Sequence, residues 1–218
     1  MTRKTFIAAA AASMIMTGTA LAGPLTPGGS VSTGGTDAFS SPHAYGTLVH
    51  SQMDNFNILH SSGAVLFQGT LESLVFENSS GELTFDLQII GSEAGLNGVI
   101  DSIGRNGFGG WTTDVDWRLD AMGLKDPAKA DRSANGEKIE WSGPWSGTAG
   151  IFSGESSRML FASTDATQFA PNSAIARITL TTGEFVDIEV ASPIPAPGAL
   201  ALLGLSGCLA GTRRRRRN

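Results

Sequence analysis

From residue 45 to residue 190, apolar and polar positions alternate with a period of two in short runs separated by glycine-bearing turns. This is the pattern of strands that bury one face and wet the other. Two pairs of runs are clearest. Residues 71–77 and 82–90 flank Asn78-Ser79-Ser80-Gly81. In the second run Leu83, Phe85, Leu87 and Ile89 alternate with Glu82, Thr84, Asp86 and Gln88, which predicts a hairpin with one core face and one solvated face. Residues 174–181 and 184–190 flank Thr182-Gly183; Ile175, Arg177 and Thr179 oppose Ala176, Ile178 and Leu180 by period two, and Val186, Ile188 and Val190 are the core-facing set of the second run. Further strands are predicted at 45–50, 55–59, 64–68, 112–119, 138–141 and 158–163. Residues 91–110 read as a glycine-rich loop, 120–137 as a charged excursion and 165–169 as a turn of helix. No long segment sustains a helical period. The pattern therefore predicts an all-β fold, a single antiparallel β-sandwich or jelly-roll domain over residues 42–191.

Both chain ends have a different texture. Arg3 and Lys4 precede an uncharged stretch from Phe6 to Leu21, and Ala20-Leu21-Ala22 fits a small-x-small processing site, so residues 1–22 read as a secretory signal peptide. Residues 23–41, rich in Pro, Gly, Ser and Thr, read as a flexible leader. At the other end, residues 192–197 form a Pro-rich hinge, 198–212 an uncharged apolar run, and 213–218 an arginine-rich tail. As a helix the run would be about 22 Å long against a hydrocarbon core of about 30 Å. Arginines that snorkel to the headgroups make up such a deficit. The positive-inside rule places the tail in the cytoplasm and the body outside.

The order Pro195-Ala196-Pro197, apolar run, Arg213-Arg214-Arg215-Arg216-Arg217 resembles a PEP-CTERM sorting domain, with Ala196 where that element usually carries Glu. The resemblance covers only the tail. It implies a transmembrane sorting helix, recognition by an exosortase-like processing enzyme, and delivery to the cell surface or extracellular matrix.

Setting the two ends aside changes the charge. All 20 acidic residues lie between Asp37 and Glu189 with 8 basic ones, a balance of −12 that the whole-chain value of −5 conceals. Such a body repels nucleic acid and suits solubility, calcium or basic partners. The single cysteine, Cys208, lies in the apolar run, so no internal disulfide supports the domain.

Chemistry is sparse. The sequence carries no nucleophile elbow, phosphate-binding loop or zinc-spaced Cys/His set. No catalytic residue is singled out, and no cofactor is required. His43, His50 and His60 are dispersed. Asp114 and Asp116 share a strand face and, with Asp120, are candidate calcium ligands; the alternative is a solvated face neutralised by Arg118. Trp111, Trp117, Trp141 and Trp145 are the one hint of recognition. Trp141 and Trp145 bracket Ser-Gly-Pro and are candidates for sugar stacking, with core packing as the alternative. Glu137, Glu140 and Asp114 are the carboxylates a glycan hydrolase would have to bring together. The functional expectation is an exported surface or matrix protein of structural or adhesive role, in contact with extracellular polysaccharide. A carbohydrate-binding module and a secreted glycan hydrolase are the alternatives.

Overall fold

The alternating runs become strands of two antiparallel sheets. The computed structural model describes residues 23–37 and 45–195. The expected signal peptide, His43, Pro197, the apolar run and Arg213 to Arg217 lie outside the described residues. In chain order the strands are β1 (Gly23–Pro24), β2 (Ser30–Ser32), β3 (Thr47–Leu59), β4 (Val65–Glu77), β5 (Leu83–Gly91), β6 (Val99–Arg105) and β7 (Thr113–Arg118). They continue as β8 (Lys129–Arg132), β9 (Ile139–Ser142), β10 (Ile151–Phe152), β11 (Met159–Thr164), β12 (Phe169–Leu180) and β13 (Phe185–Pro193). One sheet has the order β1-β7-β11-β5-β4-β3 and the other β13-β12-β6-β9-β8-β2, with β10 added to β6. No helix forms among the described residues.

The two sheets share one core. Leu71, Phe85, Leu87, Val115 and Leu160 from the first meet Ile103, Ile139, Trp141, Ile178 and Val190 from the second. In the closing hairpin Val186, Ile188 and Val190 face the core as predicted; Ala176 pairs with Ile188 and Ile178 with Val186, while Phe185 stays exposed.

Six local expectations are corrected. Residues 23–37 are not a flexible leader: β1 pairs with β7, β2 pairs with β8, and Leu25 enters the core. Backbone pairing, which composition does not report, holds this segment. The glycine-rich loop contains β6, which pairs with β9 and β12, and the charged excursion contains β8. Residues 165–169 make no helical turn; β12 begins at Phe169. The hinge begins later than residue 192, because Ser192 and Pro193 pair with Ala170 and Phe169. Finally, the predicted wet face of β5 is dry. Thr84, Asp86 and Gln88 are all buried: Arg118 closes over Asp86, the 121–124 segment over Gln88, and Thr84 Oγ1 is bonded to Ser163 Oγ. That outer layer also buries Phe161, which pairs with Asp86 and Asp116 across its two neighbouring strands.

Candidate functional site

A cleft opens at one end of the domain, where β1, the start of β7, the end of β11 and the end of β8 converge. Its volume is about 400 Å³, within the range of small-ligand sites. Pro24, Leu25, Pro27 and the half-buried Trp111 provide apolar wall, and Glu82, Asp114 and Asp165 provide carboxylates. Asp114 is held in register opposite Pro24 on one side and Ser163 on the other. Asp165 Oδ1 accepts the Thr112 N–H at 3.0 Å, and Glu82 Oε2 accepts from Asn78 Nδ2 at 2.9 Å.

Arg132 holds this end together. Its Nε donates to Gly136 O at 2.9 Å, and Nη1 to Leu25 O at 2.8 Å and Thr113 Oγ1 at 2.9 Å. Nη2 donates to Phe108 O at 2.7 Å and Trp111 O at 2.8 Å. A guanidinium has five N–H donors, so all are engaged. Burial lowers its pKa from the ordinary arginine value, and the five acceptors keep the cation in place. The Leu25, Phe108, Trp111 and Gly136 backbones are thereby tied to one side chain, which fixes the wall of the cleft.

The sequence candidates fall elsewhere. Trp141 and Trp145 are both fully buried, which corrects their reading as sugar contacts. Trp141 projects from β9 into the core between Ile103 and Ala130 in register, and Trp145 folds back from its loop to donate Nε1–H to Asp101 O at 2.7 Å. Trp117 is also core, packed against Gly35. Trp111 is the tryptophan left at the surface. That it lines the same cleft as Pro24 and Pro27 depends on pairing of Gly23 and Pro24 with β7, which no local pattern announced.

Asp114, Asp116 and Asp120 do not converge. Asp116 is buried, and its Oδ1 accepts the N–H groups of Gly34, Gly35 and Trp117. Burial raises its pKa, and these N–H groups from Gly35, Trp117 and Gly34 oppose the rise. Asp120 receives Nε and Nη2 of Arg118 at 3.1 and 3.0 Å, which lowers its pKa. Arg118 also reaches Asp86 at 3.2 Å and lies 4.3 Å from the Tyr45 ring centre. Burial alone would lower Arg118, but Asp120 and Asp86 carry its pKa above the ordinary value. Tyr45, desolvated and bonded to Asp120, is pushed up to about 12. Among the described residues no three His, Cys, Asp or Glu side chains gather to hold a metal ion. Of the alternative weighed, Arg118 neutralises Asp120, but the face is not solvated throughout, because Asp116 is buried and satisfied by backbone N–H groups.

The hydrolase carboxylates are likewise dispersed. Glu137 accepts the N–H groups of Gly107 and Gly109, Glu140 pairs with Lys138, and Asp114 stands in the end cleft. His50 packs against Phe169, with ring centres 5.5 Å apart, and His60 Nδ1 contacts Ser62 Oγ at 2.8 Å.

Neither a protein-family model nor a curated protein matches the sequence. Among solved structures, the chain is similar to an uncharacterized protein from Nocardia farcinica described as having an immunoglobulin-like fold. The identity is 12% and the TM-score 0.32, over 67% of this chain and 99% of that one.

Proposed function

We propose that this chain is an exported β-sandwich protein that works at the cell surface or in the extracellular matrix, in a structural or adhesive role. The observation that carries the reading is the tail. β13 ends at Pro193, and Pro195-Ala196-Pro197, the apolar run and Arg213 to Arg217 follow directly. A two-sheet domain that finishes at its tether suits display. The resemblance to a PEP-CTERM element supplies the partner, an exosortase-like enzyme acting at the membrane that the 198–212 segment enters. Cleavage after Ala22 would leave Gly23, the first residue of β1, at the mature N-terminus.

The test is replacement of all five residues from Arg213 to Arg217 by serine in the native host. Diversion to the medium or accumulation of misprocessed chain is the expected outcome. Unchanged surface display with unchanged mature mass would overturn the reading.

A further inference from the structure

We propose that the outer edge of β3 pairs with the same edge of a second copy of this chain, antiparallel about a two-fold axis at Met53, so that the two tethers leave at opposite ends. The pairing stands on the edge strand itself, and its adhesive meaning rests on the surface reading above.

A sheet edge presents unpaired ladder groups, and proteins shield it by shortness, charge, proline or a covering side chain. Of the four sheet edges among the described residues, three are shielded. β1 and β2 have two and three residues. β13 carries Asp187, Glu189 and Pro193, and Gln52 Nε2 reaches across from β3 to donate to Glu189 O at 3.0 Å. β3 differs. It is the end strand of its sheet, 13 residues long, with no lysine, arginine or proline. Its bulges fall near the ends, between Leu48 and His50 and between Ile58 and Leu59, so His50 to Ile58 keeps an unbroken register with β4.

Charge and symmetry select the occupant. Two bodies with a balance of −12 repel over most of their surface. On β3 the one carboxylate, Asp54, is half-buried and accepts from Gln52 Nε2 at 2.8 Å, whereas the exposed Ser51, Met53, Asn55 and Asn57 are uncharged. A two-fold contact is self-complementary. The register that overlaps the whole strand centres on Met53, which is 61% exposed, and sets it against its own copy with Gln52 opposite Asp54. Centring on Asp54 would put two carboxylates face to face, which is destabilising. Glu72, opposite Met53 on β4, would lie three strand spacings from its copy, about 14 Å, past the screening length of about 8–10 Å.

The tether fixes what such a pair can join. The His50 ring lies 5.5 Å from Phe169, and Phe169 pairs with Pro193, so the chain leaves the domain beside the start of β3. Antiparallel pairing reverses the strand and points the two exits apart. Residues 194–197 reach at most about 14 Å, while the two His50 positions stand about 20 Å apart along the strand. Copies standing upright on one membrane therefore do not pair this way. Copies on facing surfaces, or released copies, do.

The experiment is sedimentation velocity of the full chain in a zwitterionic detergent, from about 1 μM to about 1 mM, with nitroxide distances measured in a Cys208→Ser chain labelled at Asn57→Cys or Ser61→Cys. A reversible dimer is expected, with a dissociation constant inside that range and tightened by salt, which screens the acidic bodies. Met53→Glu should weaken it at least about tenfold without changing the melting temperature, and mixing that variant with Met53→Lys should restore it, because opposite charges then meet across the axis. Separations between copies should be about 25 Å at residue 57 and about 50 Å at residue 61. A monomer throughout, as when another partner or another segment of the chain fills the edge, would overturn the proposal. So would a dimer indifferent to Met53→Glu, the mark of association through the apolar run, or equally short separations at both labels, the mark of parallel pairing. The arginine-tail test reads delivery alone, so the two readings fail separately.

Discussion

The two arginines buried in this domain respond to the same substitution with opposite signs. Arg132 and Arg105 are 5% and 0% exposed. Arg132 places five N–H donors on five oxygens at 2.7–2.9 Å. Replacing it with methionine keeps much of the volume but removes the donor to the Trp111 and Gly136 carbonyls, while Leu25 O keeps Thr113 Oγ1 and Phe108 O keeps the Trp111 N–H. Hydrogen bonds to a charged group are worth about 1.5–3 kcal/mol each and are not additive when they share one side chain. A loss of about 2–5 kcal/mol is expected for Arg132→Met, at about 1–3 kcal/mol for each buried carbonyl left without its donor. Arg132→Lys, with three donors in place of five, should recover part of it.

Arg105 stands between the sheets with its guanidinium 5.0 Å from the Phe85 ring centre and 5.7 Å from that of Phe108. Nη2 donates to Ala191 O, while Nε and Nη1 have no partner, and desolvation lowers its pKa to about 9. Two unpartnered buried nitrogens cost about 1–3 kcal/mol each. The single bond and the ring contacts offset about 3–4 kcal/mol. Replacing a poorly satisfied buried charge by an apolar side chain of similar volume runs from neutral to stabilising by about 4 kcal/mol. Arg105→Met should therefore raise stability by about 1–2 kcal/mol. Urea unfolding of the three variants, followed by tryptophan fluorescence and circular dichroism, provides the comparison. Equal losses for Arg132→Met and Arg105→Met would refute the hydrogen-bond reasoning.

Three other outcomes follow from named contacts. Gly35 has φ near +79°, and a Cβ there would stand 2.4 Å from Trp117 Cη2, so Gly35→Ala should cost about 2–4 kcal/mol in the same urea assay. Trp141→Ala and Trp145→Ala should each lose about 3–5 kcal/mol of stability, because both indoles are core. Burial, opposed by Arg118, raises the Asp86 carboxyl from 3.8 to about 7. Between those values the unfolded chain releases this proton and the fold retains it, so the Asp86 contribution to stability is present at low pH and falls as pH rises through about 7. Unfolding midpoints at about pH 4.5 and about pH 7.5 should show a shallower decline, or a larger rise, in Asp86→Asn than in the parent chain.

Period-two alternation made the strand class legible, because a residue on a half-buried strand has only two faces to choose between. Ile178, Ile188 and Val190 point inward as their pattern requires. The pattern fails where a second layer covers the outer face. Asp86 and Gln88 look solvated in sequence because their coverings, Arg118 and the 121–124 segment, lie more than thirty residues away. β6 was hidden for a related reason: Asp101, Ser102 and Gly104 interrupt its apolar run, yet backbone pairing needs no apolar side chain. The cleft was the least legible feature. Its parts come from residues 24–27, 82, 111–114, 132 and 163–165, and only pairing across the sheet brings them together. Trp141 and Trp145 carried the louder local signal, in a Gly/Pro setting that resembles a binding loop. Their burial follows from Asp101 and Ile103 on a strand that the sequence disguises.

Surface delivery through the two chain ends is most directly tested by the intact mass of the protein recovered from its native host, fractionated into membrane, surface and medium. A surface or medium species beginning at Gly23 and lacking Arg213 to Arg217 is the predicted result. A chain that keeps the arginine tail in every fraction would contradict it.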